Sequence, residues 1–397
     1  MSIYRRFNFV FLAVALFSVL SFGLFNVAID PYGVINSPTF PGVNRLKPEQ
    51  DKNNSLFKPI EVIRLKPTTV LIGSSTAVLG LDPKHPALLH KPTAYNLGIT
   101  GANMYQVKAY LQHALTNQPR LKQVVISLDF YMFNGFKINN SKLKENSLGK
   151  TSITLDDFLA VTLSLKAFDS SKVTIRDNLT EPDITPYYSN GMRNNKKIKQ
   201  NFQKTPMKEH FKMMLNNYLS NPSYYSHYHF SQELLNNFKT TVNLCKQHNI
   251  ELKIFISPVH AAQLEAIRIA GIWSIFEQWK REISKVMPVW DFSDYNSITT
   301  EPISNDMKNF FESVHYRKEV GDLILNRIFH YHEETVPDDF GILLTAGNSE
   351  SHLEKIRADR EVWAKKNPEV VKLVQDLKRK IEEKAQNELK PVIIEDR

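Results

Sequence analysis

The stretch Val70-Leu71-Ile72-Gly73-Ser74-Ser75-Thr76-Ala77-Val78-Leu79-Gly80 constrains the fold more than any other part of this chain. An apolar, β-favouring run ends in glycine, two hydroxyl residues follow, and Ala77 to Leu79 can open a helix. The text therefore predicts a strand, a sharp turn and a helix. In an open α/β domain such a turn sits at the carboxyl edge of the sheet. Ligands bind there, and free N–H groups at a helix start can hold an anion. Ser75 is the first candidate nucleophile, although a plain β-to-α turn carries the same spelling.

The rest of the chain supplies the alternation that such a domain needs. Thr69 to Ile72, Gln123 to Leu128, Glu251 to Ile256 and Val289 to Phe292 read as buried strands, with a shorter one near Tyr95. Between them, Asn103 to Leu115, Leu234 to His248 and Ile272 to Val286 carry apolar residues at helical spacing. This is the pattern of an α/β fold, a parallel sheet covered by helices on both faces. The pattern is interrupted at 132–230, an insertion that contains an expected helix from Leu155 to Ala167, introduced by Thr154 and Asp157 as N-cap and N3 acid, and another around Met207 to Leu219. The insertion reads either as a decoration of the sheet or as a substrate-facing lid.

Both ends of the chain depart from that pattern. Arg5 and Arg6 precede an uncharged run from Phe7 to Ile29, about 23 residues, enough to cross a hydrocarbon core of about 30 Å. No small-x-small cleavage site follows, so the run reads as an uncleaved signal anchor. With no further basic residue until Arg45, the positive-inside rule puts the N-terminus in the cytoplasm and the body outside, in the periplasm or cell exterior. The expected organisation is a cytoplasmic stub and transmembrane helix at 1–29, a Pro-rich spacer at 30–68, the α/β domain at 69–335 and a charged helical tail at 336–397. In that tail Val370, Val374, Leu377 and Ile381 form an apolar stripe, suited to folding back on the body or to a partner helix.

Fifty basic and 41 acidic residues give a net charge of +9, yet no block of Lys and Arg interleaved with aromatics suggests a nucleic-acid groove. The basic balance suits either an ordinary surface or attraction to anionic envelope polymers and lipid head groups. The single cysteine, Cys245, excludes an intrachain disulfide and a Cys-based zinc cluster, and reads as a buried structural thiol. His227 and His229 lack a third ligand nearby, and no metal or other cofactor is expected.

Three further stretches fall where strands end. Tyr95 to Asn103 places Gly98 and Gly101 between a short strand and a helix. Val124 to Phe130 ends a strand on Asp129. Phe311-Glu312-Ser313-Val314-His315-Tyr316-Arg317 sets an acid three residues before a histidine, ahead of the last helix of the domain. With these in view, the chain resembles the SGNH/GDSL hydrolase superfamily, in particular its membrane-anchored relatives in envelope modification, the D-alanyl transfer protein of teichoic acid synthesis and the alginate O-acetylation proteins. The resemblance spans roughly Val70 to Arg327. Ser75 matches the nucleophile of the family's first block, with Ser74 replacing its aspartate, and Gly101 is similar to the glycine whose N–H donates to the oxyanion. Glu312 and His315 match the Asp-x-x-His block. Asp129 is the departure: it stands where the family supplies an asparagine donor, and an ionised carboxylate donates no hydrogen bond.

The resemblance implies a three-layer, flavodoxin-like α/β/α fold and an acyl-ester site. Ser75 would attack the carbonyl, His315 would take its proton, Glu312 would orient the imidazole, and the N–H groups of Ser75 and Gly101 would hold the oxyanion. Ser74, Asp129, His260 and Arg317 are further candidates for lining the site, while Asp291 at a strand end has a turn cap as its default role. Attack on the acyl-enzyme by water would make the protein an esterase; attack by a polyol hydroxyl would make it an acyltransferase. The expected substrate is an acyl group on an envelope polysaccharide, with a membrane-bound acyl-transfer partner as a candidate associate. The other class left open is a non-catalytic binding or scaffold protein on the same fold.

Overall fold

The sheet is built on strands that are apolar on both sides. Every residue of β1 (Thr69–Ile72) and β3 (Gln123–Leu128) is buried, which requires cover on both faces of the sheet. In this computed structural model, which describes residues 3–88, 93–137, 148–180, 185–196, 198, 200 and 204–389, β2 (Ala94–Asn96), β4 (Glu251–Ile256), β5 (Val289–Asp291) and β6 (Ile342–Leu344) complete one mixed sheet. The order is β2-β1-β3-β4-β5-β6. All neighbours pair in parallel except β5 and β6, which pair antiparallel. Leu71 lies opposite Val125, and Ile126 opposite Ile254, so the apolar residues align across the centre.

The chain steps outward from β1 to β2 and then returns to the other side of β1 as β3. That reversal opens a crevice beyond the carboxyl ends of β1 and β3, the usual ligand site of such sheets. Ser75 follows β1 and Asp129 follows β3, so both lie at it.

The helices are α1 (Ile3–Ile29), α2 (Asn54–Leu65), α3 (Ser75–Gly80), α4 (Met104–Asn117), α5 (Leu155–Thr162), α6 (Leu165–Thr180), α7 (Met207–Ser220), α8 (Gln232–Gln247), α9 (Ala261–Ile269), α10 (Trp273–Val286), α11 (Lys318–Phe329), α12 (Ser349–Lys366) and α13 (Pro368–Leu389). Their starts follow local chemistry. Asn103 caps α4 in a reciprocal box with Gln106, Thr154 caps α5 with Asp157, and Ser231 caps α8. α1 is long and apolar enough to cross a membrane.

Two expectations need correction. The helix expected from Leu155 to Ala167 is two helices: α5 ends with Leu163 as its C-cap, and α6 starts at Leu165. The 30–68 segment is not a spacer. Asp30 accepts four backbone N–H groups, from Val34, Ile35, Asn36 and Ser37, and α2 then packs against α4. The prolines that argue against regular structure lie mainly in the preceding loop, and Pro59 is tolerated within α2.

The 336–397 tail, so far as it is described, is part of the body. β6 extends the sheet, and Trp363, Val370 and Val374 join the main core. His352 of α12 donates from Nε2 to Asp291 at 2.8 Å. Asp291 also takes Lys280 Nζ at 2.6 Å and caps the next turn through Ser293 N. Burial opposes its charge, but Lys280 and His352 outweigh that and hold the carboxyl down at about 2. Cys245 is buried, and that burial pushes its thiol up to about 12.

The described residues of the insertion pack in three places, α7 lying against α9 and α13. α5 and α6 pack on α1, whereas 185–196 turns back over α3, with Arg193 N donating to Val78 O and Asn195 Nδ2 to Leu79 O.

Candidate active site

The turn that carries Ser75 is built by short-range chemistry. Ser74 is the N-cap of α3, its Oγ accepting from Thr76 N. Its own hydroxyl donates to Asp129 Oδ2. Thr76 Oγ1 lies 3.2 Å from the same carboxylate and 3.3 Å from Ser257 Oγ. These hydroxyls and one carboxylate tie the ends of β1, β3 and β4 together beneath Ser75. Asp129 thus underlies the turn, 6% exposed, with its oxygens committed to Ser74 and Thr76. Burial raises its pKa, and the hydroxyl donors only partly offset this.

The acid–base pair arrives from a distant loop. Phe310 bridges Tyr316, and Phe311 N donates to His315 O, which closes a tight turn over Glu312 to Val314. The Glu312 carboxylate accepts Val314 N and His315 N, each at 3.0 Å, and also the imidazole Nδ1. With Nδ1 on the carboxylate, Nε2 is the accepting nitrogen, and it lies 2.8 Å from Ser75 Oγ. The sequence separation of 240 residues is closed by α3 and α11 packing face to face. Burial favours a neutral His315 ring; Glu312's charge and hydrogen bond, with a contribution from Asp129, outweigh it and raise the pKa above 6.5.

Close approach of α3 and α11 depends on two glycines. A β-carbon at Gly321 would fall on the Gly80 carbonyl oxygen, and one at Gly80 would fall on the Tyr316 ring. Tyr316 is fully buried and follows His315 directly, so this packing fixes where the imidazole stands.

The third component is the loop after β2. Ile99 N donates to Gly73 O at 2.9 Å, which lays the loop against the turn that carries Ser75. Gly101 has φ +71, a left-handed conformation that favours glycine. Among the described residues, the N–H groups of Ser75 and Gly101 donate to no protein acceptor, leaving both available to an oxyanion.

What sequence reasoning missed is how this loop is held. Lys58 of α2 is fully buried and donates Nζ to Asn96 O at 3.0 Å and Gly98 O at 2.7 Å, while Asn54 donates to Thr100 Oγ1 and Lys137 to Gly101 O. Burial pushes the Lys58 amine well below its usual pKa. A lysine in a polar, proline-bearing segment gave no signal of this role. Lys58→Met should strand two buried carbonyls and lower stability by about 2 to 4 kcal/mol in denaturant unfolding.

The remaining candidates lie around the site rather than in it. His260 caps α9: its Nδ1 accepts Ala262 N at 3.1 Å and its Nε2 donates to Glu301 O at 2.7 Å. Burial drives its pKa down to about 4, so the ring is a neutral structural cap. The ring is held by these local hydrogen bonds rather than turned toward Ser75. Its backbone N–H nevertheless holds Ser313 O at 3.0 Å, steadying the Glu312–His315 turn.

Arg317 donates Nε to Phe310 O and lies over the Phe311 ring, at the wall of a cleft of 740 Å³ shared with Lys204 and Lys308. On the other side of Phe311 a cleft of 410 Å³ is lined by Lys84, Arg193, Lys196 and Lys318, with Asp82 and Glu319. His227 and His229 are exposed on the loop before α8. No family model matches this chain, and no curated protein does.

Proposed function

We propose that this protein is a membrane-anchored serine acyl-ester enzyme of the SGNH type, with Ser75, His315 and Glu312 as its triad and its body outside the cytoplasmic membrane. The observation that carries the reading is the continuous relay from Ser75 Oγ through His315 to the Glu312 carboxylate, with 2.8 Å between hydroxyl and imidazole. The sheet order and the position of Ser75 at the topological reversal support the same reading.

In this mechanism Ser75 Oγ attacks the ester carbonyl as its proton passes to His315 Nε2. Glu312 stabilises the imidazolium through Nδ1, and the negative oxygen is received by the N–H groups of Ser75 and Gly101. Loss of one such donor costs about 3 to 4 kcal/mol in comparable sites. His315 then returns the proton to the leaving alkoxide, and an acyl group remains on Ser75. Water completes hydrolysis; a polyol hydroxyl completes transfer. Asp129 replaces the family's third donor but is turned under Ser74, so two backbone donors carry the oxyanion. Clefts rich in Lys and Arg on both sides of Phe311 suit an acylated, anionic envelope polymer.

A fluorophosphonate probe tests the reading: it should label the wild type and fail on Ser75→Ala of unchanged melting temperature. Absence of label on folded wild type would favour a non-catalytic scaffold instead. The pH profile provides a second test. The base must be neutral to accept a proton, so kcat/KM should rise along a one-proton limb centred above 6.5. Glu312→Gln removes the charge that raises the pKa while leaving burial in place, and should move that limb downward. Stability follows the opposite sense: the His315–Glu312 contribution is fully present below pH 6.5 and is lost as pH rises through the folded pKa.

A further inference from the structure

α5 presents its apolar stripe outward. Leu155, Phe158 and Leu159 lie at i, i+3 and i+4 and Leu163 continues the row, with exposures of 70%, 38%, 38% and 42%; Leu165 at the head of α6 is 77% exposed. Val161 and Thr162 of the same helix face inward and are buried. An outward stripe of this kind on a water-bathed surface calls for a partner.

Its position says which one. Leu163 packs against Gly23 of α1, Asn26 Nδ2 donates to Thr162 O at 2.8 Å, and Phe168 stacks on Phe22 at 5.0 Å between ring centres. Ser171 Oγ also donates to Asn26 Oδ1, so α1 is fixed to α5 and α6 through buried polar bonds. The depth follows from the helix rise. At about 1.5 Å per residue, a hydrocarbon core of about 30 Å that begins at Arg6 ends near Asn26. The level at which Leu163 touches Gly23 therefore lies inside the acyl region, and α5 is held at that level beside α1.

We infer that the α5 stripe is a membrane-surface element, immersed in the leaflet from which α1 emerges, with lipid acyl chains as its partner. This rests on the reading of α1 as a membrane anchor. A single spanning helix leaves a body free to tilt; a second apolar contact held beside it sets one pose of the domain on the bilayer.

The test places an environment-sensitive fluorophore on single-cysteine variants of the full chain in phosphatidylcholine vesicles carrying spin-labelled lipid. Cys245 is buried and does not compete for the label. Leu159→Cys should show blue-shifted emission and lose most of it to a shallow acyl-chain quencher, more than to a deep one. Leu16→Cys, near the middle of α1, should respond most to the deep quencher. Val362→Cys, on α12 and 54% exposed, should respond to neither.

If Leu159→Cys behaves like Val362→Cys while Leu16→Cys is quenched, the inference is overturned and the stripe belongs to a protein partner. If Leu16→Cys is not quenched either, the anchor reading fails and this inference fails with it. Unchanged thermal unfolding of each variant shows that the comparison is made on folded protein.

Discussion

Glu312→Gln should lower turnover of an activated acyl ester by about 10⁴-fold, and Ser75→Ala by about 10⁴- to 10⁶-fold, with little change in melting temperature for the serine variant, if the proposed triad operates. The magnitudes follow from what each group does in the site. In the proposed mechanism Ser75 Oγ is the bond-forming atom, and its removal would leave only background catalysis by the oxyanion donors. Glu312 forms no bond to substrate, yet it selects the imidazole tautomer that presents an accepting Nε2 to Ser75. A glutamine can offer its amide to Nδ1 and reverse that tautomer, which leaves Nε2 carrying a proton that Ser75 cannot use. The variant should therefore lose kcat with KM nearly unchanged. Glu312 also accepts the N–H groups of Val314 and His315, so Glu312→Ala should be worse still and less stable. Steady-state kinetics on all three variants, with thermal unfolding alongside, checks the order.

The second large effect is on the fold. Gly321→Val should destabilise the protein by about 3 kcal/mol or more, because the new side chain meets the Gly80 carbonyl oxygen. The obstacle is backbone at the core of the α3–α11 contact, not the far end of a flexible chain, so relief requires the two helices to separate. Separation draws Tyr316 and His315 away from Ser75, and activity should fall further than stability alone explains. Gly321→Ala should show the same sign with a smaller effect. Equilibrium unfolding and ester turnover measured on one preparation distinguish the two losses. A stable, active Gly321→Val protein would contradict the packing described here.

Legibility in the sequence tracked the range of the interaction. The strands from Thr69, Gln123 and Glu251 were readable to the residue because each centres on a short apolar run rich in β-branched residues, Val70 to Ile72, Val124 to Ile126 and Ile254 to Ile256, a local signal. Thr154 was readable as a cap for the same reason. The Glu312–His315 spacing showed which loop could carry an acid and a base, since both lie in one turn.

What the sequence did not display is what depends on contacts made across the fold. The short antiparallel β6 strand has only three residues and no alternation to announce it. Lys58 lies in a polar stretch, and its role as a clamp on the Asn96 and Gly98 carbonyls exists only once α2 docks. His260 stands at a strand end like a site residue, but burial and two hydrogen bonds make it a cap. Asp129 reads as a misplaced oxyanion residue until its hydrogen bond from Ser74 is seen.

The central claim is that Ser75 Oγ carries the acyl group between donor and acceptor. The most direct measurement is a rapid-quench reaction of the full chain with an activated ester, followed by peptide mapping of the covalent adduct. The account predicts a burst of released leaving group, with the acyl group on the peptide containing Ser75, and neither burst nor adduct in Ser75→Ala. Steady turnover with no adduct, or an adduct on another residue that survives in Ser75→Ala, would contradict it.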